Sequence, residues 1–387
     1  MSGPGGFLSN LSWFERLRSS FAGVLVGLLL MVIALPMLWF NEGRAVKRAK
    51  SLKEGSGAVV AVDHGQVDGA NEGKLVHVSG PATTTVALVD EVFGVTQQGL
   101  RLVREVEMYQ WRENSRAGSS SQEEGSDEKT KSGKRYGYEK VWSDSLIRSA
   151  EFDHVEGHEN PTQMRYRAEK WLAGDAMLGA FRLPVGLVEK VPGMEKLWVT
   201  EGDVTWEGGD VKFADGMVYL GASVTEPKVG DLRVGWSVVR TGEVSVVAKQ
   251  VGGSFSPYGT RSGSDVELVE RGRLSAEAMF TRAEEQNKTL TWGMRFAGFL
   301  MMFGGVALVF RPLAVVGHLI PLVGRLMDAG LTLFAGVMAA VVSLLVMALA
   351  WIAYRPVLAV LLILCALGLL YGATKYFEKH GPPKLIG

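Results

Sequence analysis

An uncharged stretch near the N-terminus constrains this chain more than any other feature. Residues Phe21–Phe40 (FAGVLVGLLLMVIALPMLWF) contain no charged side chain. A helix of about twenty residues rises about 30 Å, which is the thickness of the hydrocarbon core of a bilayer. The run is longer than the apolar part of a secretory signal, and no small-residue cleavage pattern follows it. We therefore predict a retained transmembrane helix at 21–40, preceded by an N-terminal segment at 1–20.

Three further apolar runs close the chain. Arg295 is the one charge of the first run and lies near its end, where a long side chain can reach the interface. Only Arg355 and Pro356 separate the second run from the third, so these two form a tight hairpin or a partly re-entrant pair. The predicted spans are 292–310 and 331–354, with a transmembrane or re-entrant segment at 357–371 and a tail at 372–387.

The region between the first two spans, residues 41–291, has an ordinary globular composition. The chain has one cysteine, Cys365, which lies in the last apolar run, so this region has neither a disulfide framework nor a cysteine-ligated zinc site. Short alternating stretches separated by glycine-rich turns favour antiparallel sheets or a small barrel. The predicted fold class is an α+β membrane protein: one N-terminal helix, a large β-rich domain with a few helices, and a cluster of three C-terminal transmembrane helices.

Within this domain, alternation of apolar and polar residues predicts individual strands. They are placed at Leu75–Ser79, Thr83–Val89, Leu102–Trp111, Tyr136–Trp142, Trp198–Thr200, Met217–Leu220, Leu232–Val239 and Val244–Gln250. Helices are predicted at 161–180 and 275–287, the second with a Ser275 cap. The polar, Ser/Gly-rich segment at 113–135 is predicted to be a mobile loop at the tip of a hairpin.

One histidine-rich segment, FDHVEGHEN, raises the possibility of a metal site at His154 and His158. Two histidines four apart share a metal on a helix, and zinc proteases of that type place a glutamate directly after the first histidine. Here Glu156 is one position late, and Gly157 opposes a helix. We favour a polar turn. The sequence also has no nucleophile elbow, phosphate-binding loop or paired-cysteine motif, so we predict neither catalytic residues nor a cofactor, and a protein that is not an enzyme.

Small residues four apart recur in the apolar runs and predict close helix packing, within a subunit or between subunits. The pairs are Gly23 and Gly27, Gly336 and Ala340, and Gly368 and Gly372. The apolar runs contain no aspartate, glutamate or lysine, which argues against a transport pathway. Carboxylates match the cations along the chain, so nucleic acid is not an expected partner.

The tetrapeptides NEGR at Asn41–Arg44 and NEGK at Asn71–Lys74 look like a repeat. The first leads into a cation-rich helix and the second into a strand pattern, so we interpret them as two boundaries rather than a duplication. At the exit from the first span, the cations are expected to contact lipid phosphates, as is Arg355 after the third span. The first-span cations in question are Arg44, Lys47 and Arg48.

Several passages resemble the transmembrane protein 43 family, also called LUMA. They include "MLWFNEGRAVKRAKSLKEG", "NEGKLVHVSG", "EVEMYQWRE", "GHENP", "KVGDLRVGWSVV" and "AWIAYRPVLAVLL", in order from about Ser12 to the last span. The resemblance implies a cytoplasmic N-terminal segment and a luminal or extracytoplasmic domain, an orientation that the evenly divided flanking cations leave open. It implies no catalytic residues. Animal members belong to the endoplasmic reticulum and inner nuclear membrane, and bacterial relatives exist; we expect a bacterial plasma membrane here.

Together these features predict a non-enzymatic multi-pass scaffold that self-associates and organises membrane proteins or membrane structure. The alternative is a lipid- or small-ligand-binding protein that uses the β-rich domain beside the bilayer. The expected partners are the lipid bilayer, a second copy of the chain and other membrane proteins.

Overall fold

The computed structural model describes residues 6–117, 134–206, 208, 211–317, 321–356 and 375. These residues form two compact units. The helical unit consists of the described residues of Met1–Gly57, Gly259–Asp265 and Phe280–Gly387. The β-rich unit consists of those of Ala58–Tyr258 and Val266–Met279.

Three long helices carry the apolar runs: α1 at Gly6–Ala58, α3 at Ala276–Gly317 and α4 at Pro321–Tyr354. Each contains a stretch long and apolar enough to cross a membrane, within Gly23–Ala58, Ala276–Leu313 and Gly330–Tyr354. The fold class is therefore confirmed as α+β with an N-terminal apolar helix, a β-rich middle and C-terminal apolar helices. The predicted segment at 357–371 lies outside the described residues, and of the tail at 372–387 only Lys375 is described.

Close contacts between small residues pack α1 against α3. A Cβ atom at Gly27 would lie 2.6 Å from the carbonyl oxygen of Gly305, and one at Gly305 would lie 2.8 Å from the carbonyl oxygen of Gly27. Gly298 gives the same room to the side chain of Leu38. Because lipid tails are as apolar as leucine, such close backbone approach is what holds membrane helices together. The buried core of the helical unit is small-residue rich and includes Ala34, Met302, Val306, Ala335 and Ala339.

The outward faces of these helices are apolar. Leu25 is 72% exposed and Leu333 is 70% exposed, and both lie within the candidate spans. A water-facing helix would place polar residues there. This distribution is the one expected of helices whose outer surface meets lipid.

In the part of the β-rich unit that the structure describes there are sixteen strands and one short α-helix, α2, at Val185–Lys190. The strands are β1 Val60–Val62, β2 Leu75–Thr83, β3 Leu88–Asp90, β4 Val95–Gln97, β5 Arg101–Ala117, β6 Lys134–Ser143, β7 Glu169–Leu172, β8 Met177–Leu178, β9 Phe181–Arg182, β10 Glu195–Leu197, β11 Lys212–Ala214, β12 Met217–Leu220, β13 Leu232–Val239, β14 Gly242–Val251, β15 Ser254–Ser256 and β16 Leu268–Arg271.

One sheet closes on itself. Its strands follow the order β1-β2-β8-β9-β15-β14-β16, and β14 also pairs with β2, so the path from β2 through β8, β9 and β15 returns to its start. The β2–β14 pairing is antiparallel and runs from Gly242 opposite Ala82 to Lys249 opposite Leu75. A second sheet has the order β11-β12-β13-β5-β6, with β10 on β13 and β7 on β5. A two-stranded sheet, β3-β4, completes the unit.

The core of the β-rich unit contains a buried polar group among aromatic rings. The Asp90 carboxylate is fully buried and accepts hydrogen bonds from the Arg104 guanidinium at 2.6 Å and from the Trp236 indole at 2.9 Å. Phe93 stacks on Trp206, with ring centroids 5.0 Å apart. Burying a carboxylate costs free energy unless it is paired, so these three side chains specify one arrangement of the core.

Most predicted strands are confirmed. Met217–Leu220 and Leu232–Val239 match β12 and β13 at both ends, and four others lie within β2, β5, β6 and β14. The predicted helix at 275–287 is also confirmed, since α3 begins at Ala276 and the Ser275 hydroxyl accepts from the Ala278 amide at 3.2 Å.

The helix predicted at 161–180 is wrong. This segment contains β7 and β8 instead, and β7 pairs antiparallel with β5, with Arg101 opposite Leu172. Pairing with a long neighbouring strand supplies the backbone hydrogen bonds that a helix would have made internally, so tertiary context overrides local propensity.

The strand predicted at Thr83–Val89 has the wrong limits, and the strand predicted at Trp198–Thr200 is wrong. Between β2 and β3, the Asp175 carboxylate accepts from the Thr84 and Thr85 hydroxyls and from the Thr85 and Val86 amides, which holds a turn where a strand was predicted. After β10, Thr200 and Asp203 form a capping box that ends the extended stretch, so Trp198–Thr200 is not a strand.

The limits predicted for the loop at 113–135 are wrong at both ends, because residues 113–117 and 134–135 belong to strands. Strand β5 continues to Ala117 and β6 begins at Lys134, and the ladder between them pairs Glu113 with Tyr138 and Ala117 with Lys134. Backbone pairing therefore extends past the apolar residues that mark a strand in sequence. Residues 118–133 lie outside the described residues.

The contact between Gly27 and Gly305 gives a stability prediction. Gly27→Ala is expected to lower the melting temperature in detergent, because its Cβ would push two backbones apart at a typical overpacking cost of roughly 1–3 kcal/mol. Gly293→Ala is the matched control: a helical glycine in α3 with no described atom within 4 Å of a new Cβ, where alanine is expected to stabilise slightly. A Gly27→Ala protein as stable as the wild type would contradict this packing.

The turn around Asp175 gives a prediction about pH. Its hydrogen bonds to the Thr84 and Thr85 hydroxyls and the backbone amides hold the pKa of the Asp175 carboxyl well below its ordinary value. A lowered folded-state pKa contributes stability above the unfolded pKa of about 3.9, and this stability disappears as the pH falls through the folded value. Asp175→Asn is therefore expected to flatten the acid limb of a melting-temperature profile between about pH 5 and pH 2. An unchanged acid limb would contradict it.

Candidate functional site

The tetrapeptide Asn41–Arg44 lies inside a continuous helix, because α1 continues to Ala58. Asn41 donates through its amide Nδ2 to the carbonyl oxygen of Thr291 on α3 at 3.1 Å. Arg44 donates to Asn287 Oδ1 at 2.9 Å and to Thr291 Oγ1 at 3.0 Å, and also to Asn41 Oδ1 at 3.1 Å. Asn287 donates back to the carbonyl oxygen of Ala45 at 3.1 Å. These contacts form a polar seam between α1 and α3.

Glu42 connects all three helices. Its carboxylate accepts from Arg295 Nε at 2.6 Å and Nη2 at 2.8 Å on α3, a bidentate pair, and from Trp351 Nε1 at 2.8 Å on α4. The Glu42 side chain is 1% exposed and that of Arg295 is 16% exposed. A charge in this environment is tolerated only when it is paired and hydrogen-bonded, and the bidentate geometry meets both conditions.

Gly43 completes the contact with α4. A Cβ atom at this position would lie 2.6 Å from Cζ of the Tyr354 ring, so only glycine leaves room for the ring against the helix. Trp39 lies one turn earlier on α1, with its ring centroid 6.0 Å from that of Tyr354. All four residues of the tetrapeptide thus contact a neighbouring helix. We call this group, with Asn287, Thr291, Arg295, Trp351 and Tyr354, the polar junction.

The polar junction corrects the interpretation of Asn41–Arg44 as a simple exit from the first span. The uncharged run stops at Phe40, so the predicted span at 21–40 excludes Glu42, and the sequence predicts spans without an aspartate, glutamate or lysine. In the structure Glu42 is fully buried on α1, just beyond the end of this run. Arg295 turns back to this carboxylate rather than only reaching for the interface. The available sequence signal was the pairing of an Asn-Glu-Gly-Arg segment at the end of one apolar run with a lone arginine at the start of another.

Asn71–Lys74, by contrast, is a turn before a strand, as predicted. The Lys74 amide donates to the carbonyl oxygen of Asn71 at 3.0 Å, Gly73 has a φ of 75°, and β2 begins at Leu75. The two tetrapeptides therefore have similar sequences but different structures.

The cations predicted to contact lipid fall into two groups in the structure: some bind protein acceptors and others are exposed. Arg44 donates to protein acceptors in the polar junction, and Arg48 donates to the carbonyl oxygen of Asp265 at 2.6 Å. Lys47 and Arg355 are exposed. Lipid contact at Lys47 and Arg355 stays a prediction.

The small residues predicted to pack helices also differ in their contacts. Gly27 makes the contact with Gly305 described above, whereas a Cβ at Gly23 would meet only Leu308 at 3.7 Å. On α4, Ala335 and Ala339 are fully buried, while Gly336 and Ala340 are half-buried, one position away from that face. Gly368 and Gly372 lie outside the described residues.

In the β-rich unit, His154 and His158 point to different partners. His154 Nε2 lies 3.4 Å from the Asp153 carboxylate, and the His158 ring stacks on Tyr138 with centroids 3.8 Å apart. Burial and a hydrogen bond to the Glu113 carboxylate raise the pKa of the Tyr138 hydroxyl to about 12. Across the ranges the structure describes, no group of three or more His, Cys, Asp or Glu side chains could hold a metal ion.

The polar junction gives a prediction that a double-mutant cycle can test. Glu42→Leu is expected to destabilise the protein by roughly 3–5 kcal/mol, because it leaves the Arg295 guanidinium and the Trp351 indole without their acceptor. Adding Arg295→Leu to Glu42→Leu is expected to recover much of that loss, since no unpaired charge remains. SDS titration in mixed micelles measures the free energy of unfolding of each variant, with Glu285→Leu, at an exposed position, as the control. Strictly additive losses would contradict the pairing.

Comparison with known proteins places the chain in a family. A family model described as Transmembrane protein 43 matches residues 108–356. Transmembrane protein 43 of Homo sapiens is 35% identical over 365 residues, which are 92% of this chain and 90% of that protein. The Drosophila melanogaster homolog of transmembrane protein 43 is 33% identical over 296 residues, 74% of this chain and 76% of that protein. No solved structure matches. The resemblance seen in the sequence is confirmed, and the chain belongs to the transmembrane protein 43 family of membrane proteins.

Proposed function

We propose that this protein is a non-enzymatic membrane scaffold that self-associates and organises other membrane proteins or membrane structure. The observation that carries this proposal is the bidentate pair between Glu42 and Arg295, closed by Trp351. A scaffold needs membrane helices in one defined arrangement. One buried carboxylate with a partner on each of two other helices supplies such an arrangement.

The same observation argues against transport. A proton relay or ion pathway uses a membrane acid that can exchange its partner. Both oxygens of Glu42 accept hydrogen bonds, at 2.6 to 2.8 Å, and the side chain is 1% exposed. A carboxylate held by a guanidinium and an indole has a structural role.

Self-association requires a surface that the single chain leaves open. On α4 the exposed face includes Leu333, Val337 and Leu344. At about 100° per residue, Ala340 falls within this face and Gly336 at its edge. Both small residues are half-buried in one copy of the chain, so a second helix can approach there. Since Gly27 is occupied by Gly305, this α4 face is the small-residue surface we propose for the oligomer.

The ligand-binding alternative receives less support from the β-rich unit. The strands of the closed ring contribute apolar side chains such as Val78, Leu178, Phe181, Val246 and Phe255 to one buried core. A ligand site in a small barrel needs an interior that side chains do not fill.

We further propose that the β-rich unit faces the extracytoplasmic or luminal side, as the family resemblance implies. The membrane would be the plasma (inner) membrane in a bacterium, or the endoplasmic reticulum or inner nuclear membrane in a eukaryote. Protease treatment of sealed membrane vesicles of known orientation tests this proposal. The β-rich unit is expected to be protected when the extracytoplasmic or luminal side is enclosed.

The oligomer is tested by mass photometry of the protein in lipid nanodiscs. The wild type is expected above the monomer mass, and Gly336→Leu with Ala340→Leu is expected to shift it toward the monomer, because two leucines block close approach. Ala353→Leu is the control, an exposed small residue of the same helix that lies about 200° around the axis from Leu333. A monomeric wild type would overturn self-association, and an unchanged double variant would overturn this face.

A further inference from the structure

A cavity of about 440 Å³ lies beside the polar junction, between α1, α3 and α4. Its size falls in the range of about 300–1,000 Å³ that is usual for ligand sites. The Glu42–Arg295 pair borders it through Arg295, and the Asn287 and Thr291 side chains of the polar junction also line it.

The charge of the cavity is positive. Among the described residues, four cations line it, Lys53, Lys288, Arg295 and Arg355, against one carboxylate, Glu284. Arg295 is already neutralised by Glu42. Three cations therefore remain for one acid, so an anionic group is the complementary ligand.

The position of the cavity along the helices identifies where that anion comes from. The apolar run of α1 ends at Phe40, that of α3 begins at Trp292 and that of α4 ends at Tyr354. Lining residues Lys53, Lys288 and Arg355 lie on the polar side of these limits. The cavity thus lies at the level where the hydrocarbon core gives way to headgroups.

Two tryptophans mark the same level. Trp292 and Trp351 both line the cavity, with Arg295 Cζ 4.7 Å from the ring centroid of Trp292 and Arg355 Cζ 5.7 Å from that of Trp351. Tryptophan is enriched at the membrane interface because its ring suits both the apolar and the polar side. Cations held over such rings at headgroup depth meet lipid phosphates before any soluble anion.

We propose that this cavity binds the phosphate headgroup of an anionic glycerophospholipid. Lys288 and Arg355 hold the phosphate, Lys53 adds positive charge farther along α1, and the Trp292 and Trp351 rings contact the glycerol and upper acyl region. This inference does not rest on self-association, since every residue it uses belongs to one copy of the chain.

The test compares two variants that remove equal charge. Lys288→Gln with Arg355→Gln removes two cations of the cavity, and Lys50→Gln with Arg261→Gln removes two exposed cations of the helical unit that do not line it. Protein released from nanodiscs of phosphatidylcholine with a minor fraction of phosphatidylglycerol is analysed by native mass spectrometry. The wild type is expected to retain phosphatidylglycerol preferentially. The cavity variant is expected to lose this preference by about tenfold or more, at about 1 kcal/mol per cation. The control variant keeps it.

Three results would overturn the proposal. One is a wild type with no preference for phosphatidylglycerol. Another is an equal loss in both variants, which would mean that the preference follows net charge rather than the cavity. The third concerns inorganic phosphate or glycerol phosphate added at millimolar concentration to the protein in pure phosphatidylcholine nanodiscs. If either binds as tightly as the lipid, a soluble phosphate is the ligand. Melting temperatures close to that of the wild type would show that both variants are folded, so that the lipid measurements compare folded proteins.

Discussion

The helical unit depends on a single buried carboxylate. Glu42 sits where the apolar part of α1 ends, and an unpaired charge there would cost several kcal/mol. Its two oxygens are satisfied only when Arg295 of α3 and Trp351 of α4 are both in place. Apolar contacts between membrane helices permit many rotations of similar free energy, whereas this polar group permits one. The carboxylate therefore specifies how the three helices pack.

The glycine contacts have meaning only with this arrangement. Gly27 lies fifteen residues before Glu42 on α1, about 22 Å away along the helix axis. Its contact with Gly305 brings α1 and α3 together deep in the apolar region, while Glu42 and Arg295 join them at its edge. Two contacts far apart on the same helix pair determine their crossing, and Gly43 adds the close approach of Tyr354 on α4.

The β-rich unit uses the same combination of groups in a different solvent. Asp90 accepts from Arg104 and from the indole of Trp236, just as Glu42 accepts from Arg295 and from the indole of Trp351. In both places a carboxylate, a guanidinium and a tryptophan join three different elements, and the tryptophan is far from the carboxylate in sequence. Arginine and tryptophan suit this role because each combines a hydrogen-bond donor with a large apolar or planar surface. Buried ionic groups are associated with specificity of packing more than with net stability.

Patterns within single segments were enough to identify three helices that are long and apolar enough to cross a membrane, a β-rich region between them, and the longest strands of that region, because length, apolar content and alternation are local properties. It also carried the family resemblance. Only the tertiary structure decided that 169–172 is a strand, since its hydrogen bonds go to β5, and that Thr84–Val86 is a turn, since its donors go to Asp175. The polar junction is the clearest case. Glu42 is 253 residues from Arg295 and 309 from Trp351 in sequence, and nothing in any one segment indicates that a buried acid will meet its partners. A charge at the end of an apolar run is exposed or buried according to what packs against it, and that is decided by the fold.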